Sequence, residues 1–282
     1  MSAVVQRSRI TGSRWPGRLL DGLAAGVLLY LLLPIGVVVA FSFNAPAGKF
    51  NFVWHHFSLA AWAHPFQYPA LFEAMKLSVE IAGVATAVAT CFGTLIALAL
   101  TRYRFRGSGA VSALLLLPLV VPEVVLGSSL LSLFLQFGTS TGFGTIVIAH
   151  VMFCTSYVAI TVRARLRGFD WTLEEAAMDL GASPFRTLRK VTLPLMAPAI
   201  AAAALLSFAL SLDDFIITLF NAGTRVTYPL YVYGARRAAF PPQINVVATT
   251  ILALSLLALA GTVLWQQRTG RGRGRARTSP MV

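Results

Sequence analysis

The chain has 282 residues, of which 57% are hydrophobic and only 12% are charged, and its formal net charge is +13. A water-soluble domain of this length carries roughly a quarter charged residues, so this chain has too little polar surface to cover a globule in water. The apolar residues fall in runs that suit a bilayer core about 30 Å thick, which needs roughly 20 residues per helix. No segment shows the alternating pattern of roughly ten residues that is typical of a transmembrane β-barrel.

Six apolar stretches are each long enough to cross the bilayer as a helix. In chain order they cover residues 22–42, 77–101, 110–137, 143–163, 195–220 and 246–265. We therefore predict an all-α membrane protein with six spans, whose membrane domain at 22–267 lies between a tail at 1–21 and a basic tail at 268–282. Pro118 and Pro122 predict a kink in the third span, because proline lacks the N–H that a helix interior requires.

Lysine and arginine are distributed unevenly between the two sides of the predicted spans. Eighteen of the 23 basic residues lie in the N-terminal tail, the loops after spans two and four, and the C-terminal tail. Because connections rich in Lys and Arg stay in the cytoplasm, we predict a multi-pass protein of a bacterial inner membrane with both termini cytoplasmic. The basic stretch 268–277 is interpreted as an orientation signal attracted to anionic lipid rather than as a nucleic-acid site.

Two features near the N-terminus leave alternatives open. The first span and Ala45-Pro46-Ala47 resemble a signal peptide with its cleavage site, but the apolar run exceeds the usual ~7–15 residues, which favours an uncleaved anchor. The aromatic-rich outer segment 50–72 is interpreted as a belt lying on the outer leaflet. Its three histidines, His55, His56 and His64, have no nearby cysteines or paired carboxylates, so they do not predict a metal site.

The loop after the fourth span predicts two short helices joined by a turn. Thr172, followed three residues later by Glu175, is a capping-box pattern. Gly181 predicts the left-handed residue that ends the first helix, and Ser183-Pro184 predicts the start of the second. Leu193-Pro194 is then predicted to turn the chain into span five.

The first of these helices carries two adjacent alanines, which allow another surface to approach closely. We therefore predict that the loop docks onto a soluble partner in the cytoplasm. The alternative is an amphipathic helix that lies on the inner leaflet.

The same loop, residues 171–194, resembles the EAA loop of ABC importer permeases. The match comprises Glu175, Ala176, Ala177, Gly181, Val191, Leu193 and Pro194, with valine at 191 where the family usually has isoleucine. The resemblance implies the six-helix fold of type I importer permeases, in which this loop is a coupling helix seated in a groove of an ATPase subunit. It also implies Glu175 as a polar anchor, Ala176 and Ala177 as the close-packed face, and Gly181 as the sharp turn.

The resemblance further implies a set of partners. A homologous second permease, two ATPase subunits and an extracytoplasmic solute-binding protein would complete a transporter that works by alternating access. The chain lacks the GxxxxGK[ST] phosphate loop, so we expect no catalytic residue or cofactor in it, and ATP with Mg²⁺ would belong to the ATPase subunits. The rival is a stand-alone secondary cation transporter, which has no need of a docking loop.

Four acidic residues fall within the predicted spans, namely Glu80, Glu123, Asp213 and Asp214. A charged carboxylate at the centre of a bilayer costs roughly 2.5–3.5 kcal/mol, and no lysine or arginine lies at similar depth to offset that cost. Four acids without intramembrane bases predict a translocation path that stabilises a cation. For any one of them, the alternative is a cap on a broken helix or an ion pair with an outer arginine.

The stretch Ser211-Leu212-Asp213-Asp214-Phe215 also resembles spermidine/putrescine permeases of the C or I type. Tyr228-Pro229-Leu230 and Pro242-Gln243-Ile244-Asn245 extend this resemblance, which covers spans two to six and implies a polyamine solute. The outer segment and the basic tail depart from the family pattern. Permeases for aminoethylphosphonate, opines or ferric ion therefore remain alternatives.

Overall fold

The computed structural model describes residues 14–103 and 105–274, and within these ranges the structure is helical. The helices are α1 (Arg14–Phe41), α2 (Ala60–Ala63), α3 (Pro69–Arg102), α4 (Ser108–Val120), α5 (Glu123–Gln136), α6 (Phe143–Leu166), α7 (Thr172–Asp179), α8 (Pro184–Thr187), α9 (Leu193–Asp213), α10 (Ile216–Asn221), α11 (Tyr228–Ala238) and α12 (Pro242–Gly274). A π-helical segment, Leu188–Thr192, joins α8 to α9. Of the basic residues used to predict orientation, those outside the described residues are Arg7, Arg9, Arg104, Arg275 and Arg277.

Four stretches of the described chain are each long and apolar enough to cross a membrane as one helix. They are Leu19–Phe41, Pro69–Arg102, Phe143–Leu166 and Pro184–Asp213. The helices α4 and α5 reach that length only as a pair, which counts as a fifth span if it crosses in spite of its bend. The apolar part of α12 found among the described residues, Pro242–Ala258, is shorter than a full span. The chain is therefore a multi-pass membrane protein, and a count of six spans remains a prediction.

Two of the predicted spans are interrupted. The kink predicted from the prolines is confirmed, because the chain bends by 108° between α4 and α5, where Val121 is extended and Pro122 precedes the second helix. The prediction of one helix over 195–220 is wrong, because the backbone at Asp214 is extended, with φ −63° and ψ 122°. The Thr218 N–H donates to the Asp214 carboxylate (2.8 Å), a local side-chain bond that competes with continuation of the helix.

Among the described residues, 66–103, 105–240 and 251–274 form one compact unit, whose core lies among α3, α6 and α9. Small residues bring these helices close together, and the fully buried alanines of α3 are Ala82, Ala85, Ala89 and Ala97. A methyl group added at Gly93 would lie 2.7 Å from Cβ of Val158 on α6. Because lipid tails are as apolar as side chains, membrane helices associate through such close contacts rather than through the hydrophobic effect.

The described residues 14–65 and 241–250 form a second compact unit. In it, the segment after α1 folds around the buried side chains of Asn44 and Asn51. The Asn44 Nδ2 group donates to Asn51 Oδ1 (2.6 Å) and to the Val53 carbonyl (2.8 Å). Ring pairs in contact here are Phe43–Phe57, Phe43–Trp62 and Phe50–Phe52. The aromatic segment is thus folded on itself, and its place on the outer leaflet remains a prediction.

Candidate functional site

The two helix breaks meet at one cavity of about 260 Å³. Glu123 lines it from the start of α5, and Asp213 and Asp214 line it from the end of α9. Much of the remaining lining is apolar or aromatic and includes Phe153 and Tyr157 of α6. The structure therefore brings together, from two separate spans, three of the four acidic residues predicted from the sequence.

Glu123 and Asp213 are exposed, and each lies at a helix terminus. Glu123 occupies the first turn of α5, where the positive end of the helix dipole stabilises its negative charge. Asp213 is the last residue of α9, where the negative end of the dipole adds to its charge. Transporters use helix C-terminal ends at broken helices to coordinate cations. This arrangement therefore favours a positively charged group beside Asp213.

Asp214 has a different environment, because its side chain is only 5% exposed and is engaged by other side chains. Its Oδ2 atom accepts hydrogen bonds from the Thr218 hydroxyl (2.7 Å) and backbone N–H (2.8 Å). The Nε2 atom of His150 lies 3.3 Å from the same oxygen and 3.0 Å from the Thr218 hydroxyl. On the other side of the ring, His150 Nδ1 lies 2.7 Å from the Ser211 hydroxyl. The carboxylate of Asp214 thus ties the break after α9 to α6.

Sequence reasoning missed His150, which is buried in the first half of α6. The prediction from the sequence counted only lysine and arginine as bases, and it therefore found no base near the acids within the spans. His150 is such a base, so that interpretation is corrected. The network indicates the tautomer with the proton on Nε2, which donates toward Asp214, while Nδ1 accepts from Ser211. The sequence did contain a signal for His150, because an ionisable residue inside an apolar span usually has a function or a partner.

Glu80, the fourth acidic candidate, is exposed on α3 and does not line this cavity. The helix begins at Pro69 rather than near residue 77, so Glu80 lies about three turns into it. Its place on a translocation path is therefore not supported by proximity to the other acids.

The predicted docking loop contains α7, a turn and α8. Gly181 has φ +83°, which confirms the left-handed residue predicted after the first helix. The Ala182 N–H donates to the Ala177 carbonyl (3.1 Å) and the Gly181 N–H to the Met178 carbonyl (2.9 Å), which together form a Schellman motif. The Ser183 side chain accepts from the Arg186 N–H, so the predicted start of the second helix is also confirmed.

Two local predictions about this loop are wrong. The Thr172–Glu175 capping box does not form, because α7 begins at Thr172 itself and the Asp170 carboxylate accepts from the Thr172 N–H (3.1 Å) and hydroxyl (2.7 Å). The predicted turn at Leu193-Pro194 is replaced by helix that continues from Pro184 to Asp213. A wide π-turn, in which the Leu193 N–H donates to the Leu188 carbonyl, makes room for the proline ring.

The positions that match the EAA pattern differ in exposure. Glu175 and Ala176 are exposed, Ala177 is half-buried, and in the second part Val191 and Leu193 are half-buried while Pro194 is exposed. Two large apolar side chains lie beside them in the open, Leu180 at 90% and Phe185 at 71% exposure. Exposed apolar residues on a short rigid loop are typical of an interaction surface.

The neighbouring Glu174, which sequence reasoning passed over, is buried. Its Oε2 atom lies 2.8 Å from Nη1 of Arg102, the last residue of α3. Its Oε1 atom accepts a hydrogen bond from the hydroxyl of Thr192, the residue that precedes α9. The docking loop is thereby attached to the ends of two membrane helices.

Comparisons with known proteins agree with these features. Residues 89–268 match the family described as binding-protein-dependent transport system inner membrane component. The chain is 38% identical over 261 residues to the spermidine/putrescine transport system permease protein PotC of Escherichia coli K12, a match that covers 92% of this chain and 98% of PotC. It is 39% identical over 244 residues to the putrescine transport system permease protein PotI of the same strain, covering 84% and 85% of the two chains.

Among solved structures, the chain resembles a bacterial ABC transporter involved in the import of the acidic polysaccharide alginate. The TM-score is 0.64 at 16% identity, and the match covers 91% of this chain and 98% of the other. At that identity the likeness shows the fold alone. With the family match extending over more than half of its length, the chain belongs to the binding-protein-dependent transport system inner membrane components.

Proposed function

We propose that this chain is the membrane-spanning permease subunit of an ATP-driven importer of polyamines such as spermidine and putrescine. The observation that carries the proposal is the similarity to PotC along nearly the whole of both chains. The cavity supports a cationic solute, because its two exposed carboxylates, Glu123 and Asp213, lie among aromatic and apolar side chains. A polyamine presents ammonium groups for the carboxylates and methylene chains for the apolar walls.

The translocation path would run past Glu123 and Asp213. Asp214 would stabilise the break in the span rather than bind the solute, since its carboxylate is engaged by Thr218 and His150. Glu80 would contribute at another point of the path, away from this cavity.

The proposed topology has six spans, with α12 as the sixth and both termini in the cytoplasm. The excess of Lys and Arg in alternate connections supports it. This topology puts the loop of residues 171–194 in the cytoplasm, where an ATPase subunit would receive it. A homologous second permease, a second ATPase subunit and an extracytoplasmic binding protein would complete the complex.

In this complex the loop would act as a coupling helix. Ala176 and Ala177 would allow the ATPase subunit to approach closely, and Glu175 would supply a polar anchor. The exposed side chains of Leu180 and Phe185 would add apolar contacts. ATP binding would bring the two ATPase subunits together, move the coupling helices and open the cavity to the outside. The hydrolysis itself would take place in the ATPase subunits.

The test is transport by the complete complex in liposomes, with labelled putrescine, spermidine and ferric ion as solutes. We expect polyamine uptake that requires ATP on the side of the membrane that carries the ATPase subunits. It should also require the binding protein on the opposite side. Uptake of ferric ion without polyamine would contradict the solute and leave the importer in place. Uptake by this chain alone, driven by an ion gradient without ATP, would instead support a secondary transporter.

A further inference from the structure

One buried carboxylate of the docking loop, that of Glu174, contacts both the end of α3 and the residue before α9. We propose that Glu174 is a positioning residue that transmits movement of the loop to α3 and α9, an inference that rests on the proposed function. It differs from the EAA residues in that it faces the body of the protein rather than a partner.

The first argument is the burial pattern of α7. Glu174 is the one fully buried residue of Thr172–Asp179, all of which the structure describes. The next residue, Glu175, is exposed, because neighbouring positions on a helix point about 100° apart. Glu174 is therefore the residue of α7 that the membrane unit encloses completely, while Glu175 and Ala176 stay exposed for docking.

The second argument is that both oxygens of this carboxylate are engaged. One pairs with Arg102 at 2.8 Å, and the other accepts from the Thr192 hydroxyl. The Glu174 side chain is 3% exposed and that of Arg102 is 26% exposed, so the pair is shielded from water on the carboxylate side. A buried carboxylate is retained at low cost only when it is paired and hydrogen-bonded in this way.

The third argument is the position of the two partners of Glu174, Arg102 and Thr192, at the ends of membrane helices. Arg102 is the last residue of α3, which forms the core with α6 and α9. Thr192 directly precedes α9, and the other end of α9 carries Asp213 at the cavity. A displacement of α7 would therefore pull on α3 and α9 together, and α9 is a continuous helix from the loop to the solute cavity.

The test compares variants of the complete complex in liposomes by the number of putrescine molecules taken up per ATP hydrolysed. Glu174→Gln keeps the shape and the bond from Thr192 but removes the charge that pairs with Arg102. We expect it to lower this ratio about tenfold, within the roughly 5–150-fold range of coupling between sites. The control, Glu73→Gln, makes the same change at an exposed position of α3 outside the docking loop and is expected to keep the wild-type ratio.

Two further variants distinguish a coupling role from a general defect. The double change Glu174→Gln with Arg102→Gln is expected to be no worse than Glu174→Gln alone, because both residues act through one pair. Thr192→Val keeps the ion pair and removes the hydroxyl, so it tests the same junction if Glu174→Gln fails to assemble, and we expect a smaller fall in the ratio.

The inference is overturned if Glu174→Gln or, where that variant does not assemble, Thr192→Val transports as many molecules per ATP as Glu73→Gln. The inference is also overturned if the double variant loses more of the uptake per ATP than Glu174→Gln does, with the two single losses multiplying. If the wild-type complex shows no ATP-driven uptake of putrescine, spermidine or ferric ion, the proposed function fails, and the inference fails with it.

Discussion

Asp213 and Asp214 are adjacent in the sequence, yet their surroundings are opposite. Asp213 ends α9 and is exposed at the cavity, whereas the carboxylate of Asp214 turns toward Thr218 and His150. We therefore expect the two residues to differ in role, Asp213 attracting the solute and Asp214 maintaining the break in the span.

The first prediction concerns Asp213→Asn, which removes the charge and keeps the size of the side chain. At an effective dielectric constant near 20, a charge pair at 4 Å is worth roughly 4 kcal/mol before desolvation is subtracted. If a quarter of that survives, cation occupancy falls about fivefold. We expect ATP-driven putrescine uptake to fall by that factor while the melting temperature stays unchanged. Normal uptake in both this variant and Glu123→Gln would exclude a path along these carboxylates.

The second prediction concerns His150→Leu. The change leaves the buried Ser211 hydroxyl without its partner, which costs about 1–3 kcal/mol, and removes the imidazole beside the Asp214 carboxylate, which keeps its hydrogen bonds from Thr218. We expect a lower melting temperature for the detergent-solubilised protein, accompanied by lower uptake. His64→Leu removes an exposed histidine and serves as the control. Equal melting temperatures for the two variants would show that the network does not stabilise the fold.

At the scale of elements, the two helix breaks have different causes. The break between α4 and α5 follows from Pro122, which cannot donate a helix hydrogen bond. The break between α9 and α10 has no proline, and there the side chain of Asp214 accepts from the Thr218 N–H in place of a continuing helix. Both breaks lead to the same cavity, so each contributes a carboxylate at a helix end.

The third prediction concerns the docking loop. Gly181→Val places a β-branched side chain at φ +83°, which costs roughly 1–2 kcal/mol and distorts the Schellman turn. We expect the variant to insert into the membrane normally and to lose copurification with the ATPase subunit. Gly109→Val, at a glycine with open space and no positive φ, is the matched control. Full ATPase binding and uptake by Gly181→Val would contradict the role of this turn.

At the scale of the whole molecule, charge predicts the orientation in the membrane, while small residues determine the arrangement of the core. The alanines of α3 and Gly93 let α3 lie against α6 without bulky side chains between them. The charges lie elsewhere, in the connections, where we expect them to decide which side of the membrane each loop occupies.

The fourth prediction concerns topology. Reporter fusions after Arg106, after Lys190 and at the C-terminus are expected to report the cytoplasm, because these connections carry the excess of basic residues. Fusions near Trp54, Gly142 and Arg225 are expected to report the outer side. A C-terminus on the outer side would mean that α12 does not cross and that the span count is odd.

The sequence by itself determined that this is a membrane protein, which family it resembles, and where one helix break and one loop turn lie. Apolar run length predicted membrane helices, Pro122 predicted a break, and Gly181 with Ser183-Pro184 predicted the turn of the docking loop. These features depend on chain composition or on a few neighbouring residues, which is why they could be predicted without a fold.

The tertiary structure alone decided which acidic residues share a site and which carboxylates are engaged. His150 lies 61 and 68 positions from Ser211 and Thr218, so its contacts depend on how α6 lies against α9 and α10. Likewise, nothing local distinguishes Glu174 from Glu175, and only the positions of Arg102 and Thr192 make the first a buried junction and leave the second exposed. Pairings of this kind arise from helix packing, because a buried charge is tolerated only where distant segments bring it a partner.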